Sequence, residues 1–391
     1  MQEIWFIVNY NLYESKKYFT EKFGQALQRR GIRVKIFDYQ LLGEEHLLPQ
    51  GFHLKPPDLI CSFNRAKPNP KTGKFFWEVA KVPYLWLLVD PAYYVKDYFK
   101  TDFSMISCVD LGDYELIRQR FGFENVFFFP HAVEKDLAPL EKQERPYDVV
   151  FIGTCYDPVN LKEYWKKKYT APVVTLMEAA IEESLSNSQC PFWKVVEEEV
   201  ERQKLNLRFE DLQDIVKNVD DYLRGYDRWK LILSIKSAKV HVFGGTCWGE
   251  DVKGWPHYFR DCPNVVIHPA IPFKETLEVL KKSKISLNSM PFFKNGTHER
   301  IFTGTACGNL VVTTDNLWIR EHYSEGEELL LYQPKHWEEI DEKVDYYLNR
   351  EEERVQIAKK GREKTLQNHT WDHRVAQLLE VIPPLLDRLK R

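Results

Sequence analysis

Residues Asn288 to Asn316 read NSMPFFKNGTHERIFTGTACGNLVVTTDN. A Gly-containing turn leads into a short helix that opens on His-Glu-Arg. The helix leaves through Ala306-Cys307-Gly308, and a β-branched strand follows. Amides at a helix start have no partner inside the helix and carry partial positive charge, so that end attracts anions. Gly296 allows close approach of a ligand, Thr297 is the expected N-cap, and Arg300 adds a permanently charged fork of donors. A diphosphate suits this arrangement. The same spacing also suits an ordinary strand-turn-helix unit whose charges face water.

Outward from this stretch, short apolar runs alternate with helical patterns. IWFIVN, VKIFDY, LICSF, YLWLLVD, FSMISCV and VFFFPHAV come first, and the charged, Pro-containing PLEKQERPYD ends that series. DVVFIG, KVHVFGG, NVVIHPA, ISLNSM, LVVTTDN and ELLLYQ form a second series. Such alternation predicts parallel sheets covered on both faces, hence an α/β protein with two doubly wound domains. The boundaries read as 1–145 for the first domain, 146–370 for the second and 371–391 for a closing helix. Between residues 158 and 232 the apolar spacing is i, i+3, i+4, which predicts a largely helical insert. Pro383-Pro384 is expected to kink or interrupt the closing helix.

The chain has 391 residues, a net charge of −3 and 29% charged residues. It lacks the basic footprint of a nucleic-acid binder. The 7 cysteines include no CxxC and no His/Cys pair at metal spacing, so a reduced cytoplasm is the expected setting. No apolar run reaches membrane-spanning length, and MQEIWFIVNYN reads as a strand without a basic leader. Lys166-Lys167-Lys168 and the terminal RLKR suit solvated helix faces. No Gly-x-Gly-x-x-Gly follows the first strand and no Walker loop is present, which weakens dehydrogenase and kinase readings. The nearest Gly-rich element is FGGTCWG, Phe243 to Gly249. It follows a strand, where open α/β sheets bind ligands, and makes Gly244 and Gly245 candidates.

The stretch from Gly296 resembles the donor-site signature of GT-B glycosyltransferases, in particular the bacterial CgeB-like "glycosyl transferases group 1" proteins. The matching residues are Gly296, His298, Glu299, Arg300, Phe302, Ala306, Cys307, Gly308, Thr314 and Asp315. The likeness continues through EGEELLLY (Glu325 to Tyr332), Val344 to Arg374 and the closing helix. It implies a GT-B fold: two Rossmann-like domains facing a cleft, with the closing helix crossing back to the first. It also implies a nucleotide sugar (UDP-, GDP- or dTDP-linked) in the second domain. Many relatives carry an acidic residue after the Phe, to bond the ribose; here Thr303 stands there, and its hydroxyl bonds a ribose less strongly. By the same resemblance Gly153 ends a strand at the donor turn, and backbone groups from Pro269 to Ile271 lie near the base.

Glycosyl transfer passes through an oxocarbenium-like state with a departing diphosphate, which fixed donors stabilise. Arg300, the amides of Gly296 to His298, and Lys294 are the candidates. Arg300 equally fits an ion pair with a neighbouring carboxylate, Glu299 fits a sugar hydroxyl or the helix start, and His298 fits a ligand contact or a structural role. An inverting enzyme needs a base from the first domain, for which Asp90 and His131 at strand ends are candidates; each also fits a turn or cap. No Asp-x-Asp follows a strand, and Asp220-Asp221 falls in a helical stretch, so no metal cofactor is expected. The acceptor is expected to be a protein such as flagellin, or a surface glycan. A nucleotide-sugar epimerase of the same fold and a non-catalytic binding subunit are the other readings.

Overall fold

The computed structural model describes residues 1–9, 12–39, 55–64, 66, 68, 71–94, 102–139, 144–247 and 252–389. Part of PLEKQERPYD, and Trp248 and Gly249 of the Gly-rich loop, lie outside them. The chain divides into two compact units. One comprises Met1–Asp136, Pro272–Lys274 and Leu366–Arg391; the other comprises Leu137–Ile271 and Glu275–Thr365.

In the first unit six parallel strands form one sheet. They are β1 (Glu3–Val8), β2 (Arg33–Asp38), β3 (Leu59–Phe63), β4 (Tyr84–Leu87), β5 (Ser104–Cys108) and β6 (Val126–Phe128), in the order β2-β1-β3-β4-β5-β6. Every residue of β1, EIWFIV, is buried, as expected of a strand covered on both faces. The helix Ser15–Arg29 turns Phe19, Phe23 and Leu27 inward. The Phe23 ring stacks on Trp371, 5.3 Å between centroids, and Arg29 holds the Asp372 carboxylate with two bonds. These contacts seat the last helix, Trp371–Leu389, in this unit. That helix runs through Pro383 and Pro384 without a break, contrary to the expected interruption. The prolines are exposed, and the carbonyls they leave unpaired, four residues earlier, belong to the exposed Glu380 and the half-buried Leu379, where water can take the bond.

The second unit repeats the plan. Its strands are β7 (Tyr147–Ile152), β8 (Val240–Phe243), β9 (Val265–His268), β10 (Ser283–Asn288), β11 (Leu310–Thr314) and β12 (Leu330–Tyr332). All pair in parallel, in the order β12-β11-β10-β7-β8-β9. Counted from β7, this is the doubly wound Rossmann order, whose strand sequence reverses between β7 and β10. Connections leave to opposite sides there, and a crevice opens beyond the carboxyl ends of those two strands. Val149, Phe151, Val240, Val242, Ile285, Leu287, Leu310 and Val312 build the core along the sheet. Cutting any of the larger ones to Ala should cost about 2–5 kcal/mol.

The expected helical insert is four helices, Pro158–Lys168, Ala171–Ser186, Phe192–Arg202 and Phe209–Ser234. The last buries Val216, Val219, Leu223, Leu231 and Ile232 along one stripe. It also returns the chain to β8, so its C-terminal half serves as the first crossover of the sheet.

Candidate functional site at the carboxyl edge of the second sheet

Beyond β7 and β8 the strand pairing continues into the loops. Gly153 N–H donates to Phe243 O, Cys155 N–H to Gly245 O and Cys247 N–H to Cys155 O, each at 2.9 Å. The indole of Trp255 donates to Gly153 O at 2.9 Å. A Cβ on Gly244 would sit 1.9 Å from the Gly153 carbonyl oxygen. Gly244 is therefore required by this backbone approach, and Gly245 takes part in the same ladder. Both glycines serve the architecture that shapes the edge.

Arg300 projects onto Gly153: one guanidinium nitrogen would lie 3.6 Å from a Cβ placed there. It comes from the helix Glu299–Ala306, which follows β10; just beyond its end Gly308 holds φ at +78°. Glu299 Oε1 lies 3.9 Å from Arg300 Nε, too far for a hydrogen bond, and the buried Nη1 has no partner.

The helix Phe209–Ser234 brings a second guanidinium to the same place. Arg228, only 2% exposed, donates from Nη1 to Thr154 O at 2.8 Å and lies over the Tyr156 ring at 5.0 Å. Its buried Nε has no partner. Burial pushes its pKa down to about 10, and the nearby Arg300 charge pushes the same way. A guanidinium so desolvated, with no carboxylate bonded to it, is costly to hold; an anion at this edge would offset that cost. Arg228 was not among the expected site residues. Its signal was legible: charged Asp220, Arg224, Asp227 and Arg228 interrupt the stripe that the helix otherwise buries.

Two further polar groups complete the edge. Asn288, ending β10, donates to Thr313 Oγ1 at 2.8 Å, while its buried Oδ1 has no partner. The Thr297 hydroxyl is fully buried and also unpartnered. Thr297 is not the N-cap that the sequence suggested. The helix starts at Glu299, so the capping position is His298, whose Nδ1 accepts the Arg300 N–H at 3.4 Å. His298 also meets the Glu299 carboxylate. Burial pushes the imidazole pKa down, and Glu299 opposes it.

Other expected site residues make contacts within the protein. Lys294 is buried and donates to Ser184 O, at the end of an insert helix, at 2.6 Å. Thr303 turns its hydroxyl back to Glu299 O at 3.1 Å. Gly296 gives its carbonyl to Asn316 Nδ2 at 3.0 Å. Pro269 is exposed at the end of β9, two strands from β7 and so about 10 Å along the sheet.

In the first unit, Asp90 and His131 lie at the carboxyl edge of their own sheet in contrasting surroundings. Asp90 is exposed and accepts from Asn64 Nδ2 at 2.6 Å; Asn64 Oδ1 takes the Val89 N–H at 2.7 Å. Asn64 holds φ at 56°, a left-handed conformation that Asn tolerates better than most residues. His131 is buried edge-on against Phe19, 5.2 Å between centroids, and its carbonyl accepts from Arg374.

Among the described residues, no group of three or more His, Cys, Asp or Glu side chains is placed to hold a metal ion, and no helix is long and apolar enough to cross a membrane.

Known proteins share the fold described above. Residues 228–380 match a family model described as glycosyl transferase-like. The match begins at Arg228 and contains Arg300; it does not single out the CgeB-like group. No curated protein matches the chain in sequence. Among solved structures, sucrose-phosphate synthase from Thermosynechococcus elongatus is similar, with a TM-score of 0.58, 11% identity and coverage of 99% of this chain and 100% of that one. HepE of Anabaena, in complex with UDP and glucose, gives 0.54 at 10% identity over 98% and 100%. A glycosyltransferase from Rickettsia africae gives 0.53 at 12% identity over 98% of each chain. The fold is GT-B, and the family match supports glycosyl transfer.

Proposed function

We propose that this protein transfers a sugar from a nucleotide-sugar donor to a hydroxyl group of a protein or glycan acceptor, and that it needs no metal ion. One observation carries the donor assignment. Arg228 and Arg300 bring unpartnered guanidinium donors together where the second sheet reverses its order. A diphosphate offers matching acceptor oxygens and charge, and the two arginines take the place that a divalent cation holds in metal-dependent transferases. As the glycosidic bond breaks, negative charge grows on the leaving diphosphate. Donors already fixed at that point stabilise it without reorganising. His298 is suited to bond a hydroxyl or a phosphate oxygen, while Glu299 accepts from a hydroxyl. HepE, with the same fold, was solved with UDP and glucose, so a UDP-linked sugar heads the donors to test. Asp90 and His131 are the candidate bases for the acceptor hydroxyl, and the cytoplasm is the proposed setting.

A thermal-shift panel of UDP, GDP, dTDP and their common sugar conjugates, with and without EDTA, tests the reading. Ligand at 100 times its dissociation constant should add about 2.7 kcal/mol, a shift of a few degrees. A shift with one base that survives EDTA is expected. No shift with any nucleotide, or one that vanishes in EDTA and returns with Mn²⁺, would overturn the donor site or its metal independence respectively.

A further inference from the structure

The helix Phe209–Ser234 is longer than the crossover it makes. At about 1.5 Å per residue it outreaches a six-residue strand roughly twofold. Contacts near its middle mark where it passes the edge of the sheet. Asp227 accepts from Ser289 at 2.6 Å and Tyr332 at 2.5 Å, just after β10 and at the end of β12; Arg228 bonds Thr154, just after β7. A crossover helix between parallel strands runs against them, so residues before Asp227 project beyond the carboxyl edge.

Asp221, Gly225 and Arg228 follow one another at i, i+4 and i+7, on one face of this helix. That face looks onto the loops after β7 and β8. A Cβ on Gly225 would lie 3.0 Å from Tyr156 Cβ and 3.1 Å from Pro158 Cδ, and Arg228 covers the Tyr156 ring. Asp221 acts electrostatically on the Cys247 thiol in the loop after β8. Its carboxyl group makes no hydrogen bond and no ion pair, in contrast to Asp220 beside it, which holds Arg224 at 3.0 Å. Burial pushes the Asp221 pKa up to about 7; Asp220 acts in the same direction, against Arg224, Lys217 and Arg228. A half-buried carboxyl on the face that looks onto these loops, with no partner of its own, is well suited to a hydroxyl-bearing ligand.

Resting on the donor site proposed above, we infer that Asp221 is a specificity-determining residue, the carboxyl group that binds a hydroxyl of the donor's glycosyl moiety. Seven residues separate it from Arg228, about 10 Å along the helix. That is the distance over which a hexose extends from a diphosphate held by the Arg228 side chain. The phosphates are read at Arg228 and Arg300, and the sugar two turns further out.

The test compares UDP, GDP and dTDP with their glucose and N-acetylglucosamine conjugates, titrated calorimetrically into the wild type, Asp221→Ala, Asp221→Asn and Arg300→Ala. Asp221→Ala should bind the bare nucleotide within twofold of wild type and the preferred conjugate at least tenfold more weakly, with Asp221→Asn between the two. Equal affinities of wild type and Asp221→Ala for the conjugate would overturn the role of Asp221. If Arg300→Ala loses the bare nucleotide at the same time, the donor site survives that failure. Absence of nucleotide binding by the wild type would overturn both.

Discussion

The two sheets follow related winding plans, yet their carboxyl edges are chemically unlike. At the first, Asn64 joins Val89 and Asp90, and His131 is packed edge-on against Phe19. At the second, Arg228, Arg300, Asn288 and Thr297 each keep a buried atom without a partner. Winding explains why a crevice exists at both. Unpartnered charge is what would draw an anion to the second. Unpartnered buried groups at the second edge cost stability unless a ligand bonds them, whereas Asp90 at the first is exposed to water.

Removing the charge should erase the contrast. Arg228→Ala and Arg300→Ala should each weaken nucleotide diphosphate binding about 10²-fold or more, and the double variant should show none by calorimetry. Circular dichroism should stay unchanged in Arg300→Ala, whose guanidinium makes no side-chain hydrogen bond. Loss of folding in Arg300→Ala would make that residue a structural one.

A second difference lies in pH. Asp221 has a folded pKa of about 7, above the usual Asp value of 3.8, so the folded state keeps its proton longer than the unfolded state does. Wild-type stability should therefore fall between pH 4 and pH 7 and level off above. The groups facing Asp221 are Lys217, Asp220, Arg224 and Arg228 on its own helix and Cys247 opposite. Asp221→Asn cannot ionise. It should match wild type near pH 4 and exceed it at pH 8 by up to about 4 kcal/mol, read from urea midpoints. A constant difference across that range would contradict the burial of this carboxyl.

Much of this architecture was legible in the chain. Every strand expected from the β-branched and aromatic runs is present, because buried parallel strands leave a nearly unbroken apolar signature. The insert was legible as helix from its 3.6-residue period, but its contribution to the site was not. Charged positions interrupt its apolar stripe at Arg228, but position along a helix says nothing about which strand ends it passes. Thr297 misled because Thr is a common N-cap, and the helix begins one residue later than that choice requires. Pro383-Pro384 does not interrupt the helix, where water can take the carbonyls it frees. Arg300 was legible, since a charged residue at the mouth of a Gly-containing turn has few other places to go.

Smaller effects sharpen the comparison. Gly244→Ala drives a Cβ into the Gly153 carbonyl and should destabilise the second unit by about 1–3 kcal/mol, lowering its melting temperature by a few degrees. Asn64→Ala removes the partner of Asp90 in the first unit and should cost about 1 kcal/mol of stability while leaving nucleotide affinity within twofold. A large loss of nucleotide affinity in Asn64→Ala would dissolve the distinction between the two edges.

The most direct measurement is the arginine Nε–H correlation spectrum of the protein, in EDTA, as UDP, GDP and dTDP are titrated in turn. The Arg228 and Arg300 signals are assigned by their loss in the two alanine variants. Both should move downfield together and saturate with one of the nucleotides, as the unpartnered Nε–H of Arg228 acquires a phosphate oxygen. If both signals stay still while another arginine responds, or none does, the carboxyl edge of the second sheet is not a diphosphate site.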